Sequence, residues 1–406
     1  LDNIYVAWDW FLNSNQYSYL NDVIEVLYQF FSIRSRFLQG IEWLEILRLK
    51  IEGQPENKML YAMVFNRIGS LAYKARQNEL ARNDLYTSYD LLTTQDNKYE
   101  LAFCLIGLGS IELRSKNYQK ALEHATQSLR LYREVQDVSG EAYASYLKGL
   151  ILNRLAEYDQ AEAALQRSLS LAREINNKRR MVAPLNLLGD IACIRGEYKK
   201  AELIFQEGLE IATRLGDRFN QAILLNNLAT VSHYSQEYAR ERKVLLESLA
   251  ICEEIGDLDG IAIAYNNLCE VSMVEANINE AIQFAEKGLQ IAQQIGEEWT
   301  ITISLNNLGE AYLALNQLEQ AMNYFKEAVS LAKEIDSMDI VARISVNIGH
   351  VLMVEGKSDL GCEWLQACIQ NSAIEFDHQR KAIQILENYQ MSPMTCQNDD
   401  LLEGLV

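Results

Sequence analysis

The chain holds 406 residues, with 37 Lys and Arg against 56 Asp and Glu for a formal net charge of −19, and 49% of its residues are apolar. The apolar share is that of a folding chain. The deficit of positive charge argues against a phosphate-neutralising surface, so no nucleic-acid partner is expected.

Only three prolines occur, and no Ser/Gly-rich linker separates domains, which points to one continuous, elongated structure. No stretch of about 20 apolar residues is available to span a bilayer, so no membrane partner is expected either. The seven cysteines are thinly spread, with no CxxC pair and no neighbouring His. They read as small buried residues in a reducing compartment, with no metal site. The chain begins at Leu1 with neither a Met nor a charged-then-apolar leader, so it reads as a cytoplasmic segment of a longer protein.

Residues 1–57 read as a helical segment, a degenerate hairpin that caps a repeat array: Asp2-Asn3, Ala7 and Trp10 lead to Phe30-Phe31, then Arg34-Ser35-Arg36, Gly40 and Trp43-Leu44-Glu45. Residues 58–377 divide into eight units of 40 residues. Gly69, Gly109, Gly149, Gly189, Gly309 and Gly349 fall on one 40-residue grid, with Ala229 and Cys269 at the other two points. Twelve residues after the grid point stand Ala81, Ala121, Ala161, Ala201, Ala281, Ala321 and Gly361, with Glu241 departing; seven further on stand Ser88, Ser128, Ser168, Gly208, Ser248, Gly288, Ala328 and Cys368. Small residues at fixed places among Leu, Ile and Tyr at helical spacing are what two antiparallel helices need where their backbones approach. Each unit is therefore a helical hairpin. Residues 378–406 read as a capping helix over HQRKAIQILENY and a loose tail whose Leu401, Leu402 and Leu405 are free to dock.

In the seventh unit Leu308, Gly309, Tyr312, Ala321, Phe325 and Ala328 resemble, in order and spacing, the tetratricopeptide-repeat (TPR) pattern. The resemblance implies an all-α fold, a right-handed TPR superhelix or α-solenoid of about eight hairpins. The opening residues are similar to the stretch that begins the TPR arm of NB-ARC and MalT-like STAND signalling ATPases, although Ser35 stands for the usual Gly and Gln39 for the usual Glu. That likeness implies a sensor arm whose nucleotide-binding module lies upstream. Kinesin light chains, spindle scaffolds and peptide-pheromone receptors carry similar 40-residue units.

The residues offer little chemistry. Gly356-Lys357-Ser358 imitates the end of a phosphate-binding loop, but six residues separate it from Gly349 where the motif requires four, and it sits at an inter-helix turn. The histidines His124, His233, His350 and His378 form no cluster. No catalysis and no cofactor are expected, so function falls to the surface.

In TPR proteins the first helix of each hairpin lines the concave side. Three residues before the grid point stand Asn66, Asn186, Asn226, Asn266 and Asn306; two before it stand Asn227, Asn267, Asn307 and Asn347. Adjacent helix positions point about 100° apart, so the columns face differently. The first column shares a stripe with Asp190, Glu270, Glu310, Tyr73 and His233. An amide both donates and accepts, which suits it to bracket a peptide backbone in a groove or to form a ladder with its neighbours. Both readings stay open.

Charge is uneven. Residues 58–217 carry 22 basic and 20 acidic side chains, whereas 218–377 carry 9 and 24. Lys74, Arg114 and Arg154 share one phase and form an expected basic ridge, suited to a carboxylate or an acidic segment. The resulting expectation is a non-catalytic module that binds a peptide or protein in its groove, as the sensor arm of a STAND protein; the alternatives are a free-standing scaffold and a peptide-pheromone receptor.

Overall fold

The computed structural model describes residues 6, 8, 10, 12, 20–54, 57–335, 337–370 and 376–389. The expectations placed on Asp2, Asn3, Ala7, the His378 side chain and the tail leucines lie outside the described residues.

Among these residues the secondary structure is helical throughout. After α1 (Leu20–Ile33) and α2 (Phe37–Ile51) come the pairs α3 (Lys58–Lys74) and α4 (Asn78–Leu92), α5 (Lys98–Arg114) and α6 (Tyr118–Glu134), α7 (Val138–Arg154) and α8 (Tyr158–Glu174), and α9 (Lys178–Ile194) and α10 (Tyr198–Leu215). Next are α11 (Arg218–Tyr234) and α12 (Tyr238–Ile255), α13 (Leu258–Val274) and α14 (Ile278–Ile295), α15 (Glu298–Ala314) and α16 (Leu318–Glu334), and α17 (Met338–Val354) and α18 (Ser358–Gln370), before a last helix, α19 (Phe376–Asn388). First helices thus begin every 40 residues from Lys58 to Met338. The chain forms two compact units, Leu1–Ile211 and Ala212–Val406.

Local chemistry explains many of the boundaries. In four of the eight repeats the residue before the first helix, Asn97, Asp137, Asn177 or Asp217, has a side-chain oxygen that accepts from a backbone N–H in the first turn at 3.0–3.2 Å. Each hairpin turn ends the first helix with a left-handed residue: Arg76, Lys116, Ala156, Gly196, Gln236, Ala276, Asn316 or Gly356, with φ between 58° and 77°. The next N–H then bonds back to the helix, as from Gln77 to Ala72 or Lys357 to Leu352, which satisfies a carbonyl left over at the helix end. Gly356 is one of these caps, and Lys357 pairs with Glu355 at 2.8 Å.

The small grid residues close the hairpins. A Cβ on Gly189 would lie 2.2 Å from the Phe205 ring, and one on Gly69 would lie 2.7 Å from Leu85. The serines nineteen residues after the grid point do more than stay small. Ser88, Ser128, Ser168 and Ser248 donate across the hairpin to the carbonyls of Ala62, Ala102, Ala142 and Ala222 at 2.7–2.9 Å.

In the first unit α1 and α2 pack with α3. Trp8 stacks on Trp43 at 5.9 Å, and Phe31 meets Trp43 edge-on at 5.3 Å, above Leu44, Leu47, Val64 and Ile68. Below them Arg67 is buried, donating to both Glu100 oxygens at 2.7–2.8 Å and to Glu25 at 3.0 Å, which ties α1, α3 and α5 together. In the second unit α19 lays Ala382, Ile385 and Leu386 on Val346, Met353 and Leu365.

Removing one member of a buried pair leaves the other charge uncompensated, at about 3–5 kcal/mol. Arg67→Met should therefore cost that much in denaturant unfolding, and Arg67→Met with Glu100→Leu should recover most of it. A single-variant cost below about 1 kcal/mol, the worth of a surface pair, would contradict the burial.

Asp84 on α4 is buried with one oxygen unpartnered, and burial, aided by Glu45 and opposed by Arg48, pushes its carboxyl up to about 7. A carboxyl raised in the folded state holds its proton longer there than in the unfolded chain, so its contribution is complete at acid pH and is lost as pH climbs from about 4 through 7. Asp84→Asn should flatten that part of the stability profile and raise the urea midpoint at pH 8. An unchanged slope between pH 5 and 8 would refute this.

Candidate ligand-binding cleft

First helices of consecutive hairpins touch: α3 meets α5, α5 meets α7 and α7 meets α9. Their shared face in the first unit holds a cleft of about 510 Å³. Its rings are Tyr28 of α1, Tyr73 of α3, Tyr99 and Phe103 of α5, Tyr132 of α6 and Tyr143 of α7; Lys74 of α3, Arg180 of α9, Glu25 of α1 and Asp137 supply its charged groups. Small residues, among them Ser70, Gly107, Ser110 and Gly140, keep the space open. Gly140 cannot carry a side chain, since a Cβ would lie 2.3 Å from the Tyr132 ring.

Ring contacts set the walls. Tyr28 meets Phe103 edge-on at 5.5 Å, and Tyr99 meets Tyr132 at 6.0 Å. The Arg67 guanidinium lies 4.1 Å from the Phe103 ring centre, so the buried ion pair packs against a residue of the cleft wall. Burial holds the Tyr28, Tyr99 and Tyr132 hydroxyls above the usual range and takes Tyr143 up to about 12. All four are neutral at physiological pH and can both donate and accept. Arg180 lies over the Tyr143 ring at 5.2 Å with no carboxylate partner among the described residues, and the same two residues border an adjoining hollow of about 350 Å³ beside Pro184. Lys74 donates to Ser32 at 3.0 Å and lies 5.0 Å from the Tyr28 ring centre, and burial lowers its pKa.

The residues expected to line a groove separate into groups. Tyr73 and Lys74 border the cleft. Asn66 does not: it is fully buried and donates to the Glu100 backbone and side chain at 3.2–3.3 Å. Asn266 and Asn306 are buried as well. Asn266 accepts from Ser304 at 2.9 Å, and Asn306 donates to Glu310 at 3.2 Å and accepts from Asn347 at 2.9 Å. Asn226, half-buried, accepts from Asn267 at 2.7 Å. The two asparagine columns thus meet across adjacent first helices, because a side chain three residues before the grid point faces the next first helix. Asn186 is half-buried and also has a partner.

The acidic residues are held internally too. Glu270 pairs with Arg343 at 3.0 Å, and Glu310 lies 3.5 Å from Lys381 and 3.8 Å from Arg343. Burial opposes its charge, but Lys381, Arg343, Asn347 and Asn306 prevail and hold the Glu310 carboxyl at about 2. His233 pairs with Glu241 of its own hairpin at 3.1 Å. Asp190, pushed up to about 6 by burial, feels the charge of Arg154. Arg114 caps the Tyr73 ring at 3.6 Å and donates to the Tyr73 carbonyl at 2.8 Å, so one member of the basic ridge is engaged within the chain.

Sequence reasoning passed over Tyr99, Phe103, Tyr132, Tyr143 and Arg180. A signal was available: Phe103 and Tyr143 share one phase, six before the grid point, and Arg180 ends the basic run Lys178-Arg179-Arg180.

The chain's fold is similar to that of the apo quorum sensor NprR from B. thuringiensis, with a TM-score of 0.71 and 14% identity over 87% of this chain and 98% of that one. It is also similar to a Rap protein complexed with Competence and Sporulation Factor, with a TM-score of 0.59 and 14% identity over 84% and 99%. A STAND protein with a tetratricopeptide repeat sensor from Pyrococcus horikoshii has a TM-score of 0.55 and 16% identity over 87% of this chain and 52% of that one. At such identities the likeness is one of fold. No curated protein matches. The sequence pattern of the Tetratricopeptide repeat matches residues 60–134, 141–214, 180–254 and 260–334, more than half of the chain, which therefore belongs to the tetratricopeptide-repeat family.

Proposed function

We propose that this chain is a ligand-sensing module that binds a peptide or protein segment in the tyrosine-lined cleft of its first unit. The observation that carries the reading is the cleft itself: about 510 Å³, walled by rings from four hairpins, with Arg180 in its lining and without an ion-pair partner among the described residues. Tyrosines offer broad apolar contact with few rotatable bonds and a hydroxyl for backbone groups, which is the composition of a binding hot spot. The protein acts by binding, in the cytoplasm, without a cofactor.

The fold likeness supports two settings equally. In one the chain is the sensor arm of a STAND-type ATPase, whose nucleotide-binding module would lie upstream. In the other it is a receptor for a signalling peptide. Either way the ligand works by favouring one of two states of the protein over the other.

The test is selection of peptides from a displayed library on the whole chain, followed by calorimetry. Selected peptides should lose roughly tenfold or more in affinity against Tyr143→Ala and against Arg180→Ala. Equal binding to the wild type and both variants would place the site elsewhere.

A further inference from the structure

The second unit carries an apolar cleft of about 400 Å³ on its seventh and eighth hairpins, and none of its lining residues borders the tyrosine-lined cleft. One wall is a stripe on α16, Met322, Lys326, Val329 and Lys333; the other is a stripe on α17, Val341, Ser345, Ile348 and Leu352. Both follow i, i+4, i+7, i+11 spacing, so each runs straight along its helix for about 16 Å, or three helical turns. Trp364 of α18 lines the cleft, buried to 5% exposure.

The repeat itself explains why the cleft exists. At the phase of Ser345, four before the grid point, six other units hold Phe65, Leu105, Leu185, Leu225, Tyr265 and Leu305, and the third holds a second serine, Ser145, which has the full-sized Leu129 at the other phase. At the phase of Val329, other units hold Tyr89, Leu129, Leu169, Leu209, Leu249 and Leu289. Two reductions in size face each other across one inter-hairpin seam. Ser345 donates to Val341 of its own helix, at 2.7 Å, so nothing across the cleft requires a hydroxyl there.

Charge says what the cleft would take. Residues 218–377 contain only 9 basic side chains against 24 acidic ones, yet Lys326, Lys333 and Lys357 all line this cleft. Lys357 is paired with Glu355; Lys326 and Lys333 have no ion-pair partner among the described residues. Lys326 lies at the middle of α16 and Lys333 in its last turn, whereas Glu319 lies in its first turn and Glu355 beside that end, because α16 and α17 run antiparallel. The Trp364 indole N–H is a buried donor with no acceptor among the described residues. We infer that this cleft docks an acidic amphipathic helix of a partner protein, apolar side chains between the stripes and carboxylates over Lys326 and Lys333. The length, the paired stripes and the apolar floor match the way such helices lie in grooves.

The probe is a fluorescein-labelled helical peptide of about 14 residues, with leucines at heptad-like spacing and glutamates beside them. Its control has every glutamate replaced by lysine. The acidic probe should bind the full chain and the basic control should not. Ser345→Leu, which supplies the residue most other units hold and should melt no lower than wild type, should weaken binding roughly tenfold or more. The exposed-rim variant Leu360→Glu should do the same if Ser345→Leu is poorly folded, and Lys326→Glu with Lys333→Glu should exchange the preference of the two probes.

Equal binding of acidic and basic probes, or undiminished binding to Ser345→Leu and Leu360→Glu, would overturn the proposal. So would a concentration-dependent dimer abolished by Ser345→Leu, since the occupant would then be a second copy. A gain in probe affinity on deleting residues 390–406 would overturn it too, by identifying that segment as the occupant.

Discussion

Every repeat in this chain rests on how closely two helices approach inside its hairpin. At most grid glycines a Leu or Phe of the second helix sits directly over the backbone of the first: Leu85 over Gly69, Phe205 over Gly189, Phe325 over Gly309. The serine-to-carbonyl bonds fix the same two helices in register a turn away. Repeated every 40 residues, this contact gives each unit hairpins in one orientation, and first helices that share a face. A phase in the repeat thereby becomes a place on that face, which is what allows residues 40 or 80 apart in sequence to build one cleft.

Polar interactions do a separate task on that face. The seams between first helices are sewn by groups that would be costly to leave unpaired once buried: Asn66 and Arg67 on Glu100 in the first unit, and Asn306, Asn347, Arg343 and Lys381 around Glu310 in the second. In the second unit Glu310 and Asn347 fill the face between first helices. In the first unit the same two phases carry Ser110 and Gly107, with Ser70 and aromatic rings around them, and the face opens into a cleft. The cleft thus arises where those two polar side chains are missing.

Much of this was legible in the residues alone. The 40-residue period, the helical hairpins and their turns follow from small residues that only close packing explains, and the helices begin where that period places them. The Asn97, Asp137, Asn177 and Asp217 caps recur on the same period and were open to the same reading. The assignment of faces was not legible. Helical spacing gives the angle between two columns, but which column meets the neighbouring helix depends on the tilt between hairpins, a quantity no single repeat encodes. For that reason the sequence left Asn66, Asn266 and Asn306 open between a ligand and a ladder; they are buried in seams, whereas Phe103 and Tyr143 line the cleft. The ridge of Lys74, Arg114 and Arg154 shares a phase, yet Arg114 is spent on Tyr73 while Lys74 reaches the cleft, because the aromatic residues around them differ from unit to unit.

This division of tasks is decided by the triple variant Asn226→Ala, Asn266→Ala and Asn306→Ala, with melting and affinity for a selected peptide measured on the same protein. A lower melting temperature is expected, since Asn267 loses its amide acceptor and Ser304 and Asn347 keep only Thr300 and Glu310, at roughly 0.5–1.5 kcal/mol for each hydrogen bond lost, with peptide affinity unchanged. A protein that melts like the wild type but has lost its affinity would refute the division, because the amides would then serve the ligand rather than the seams.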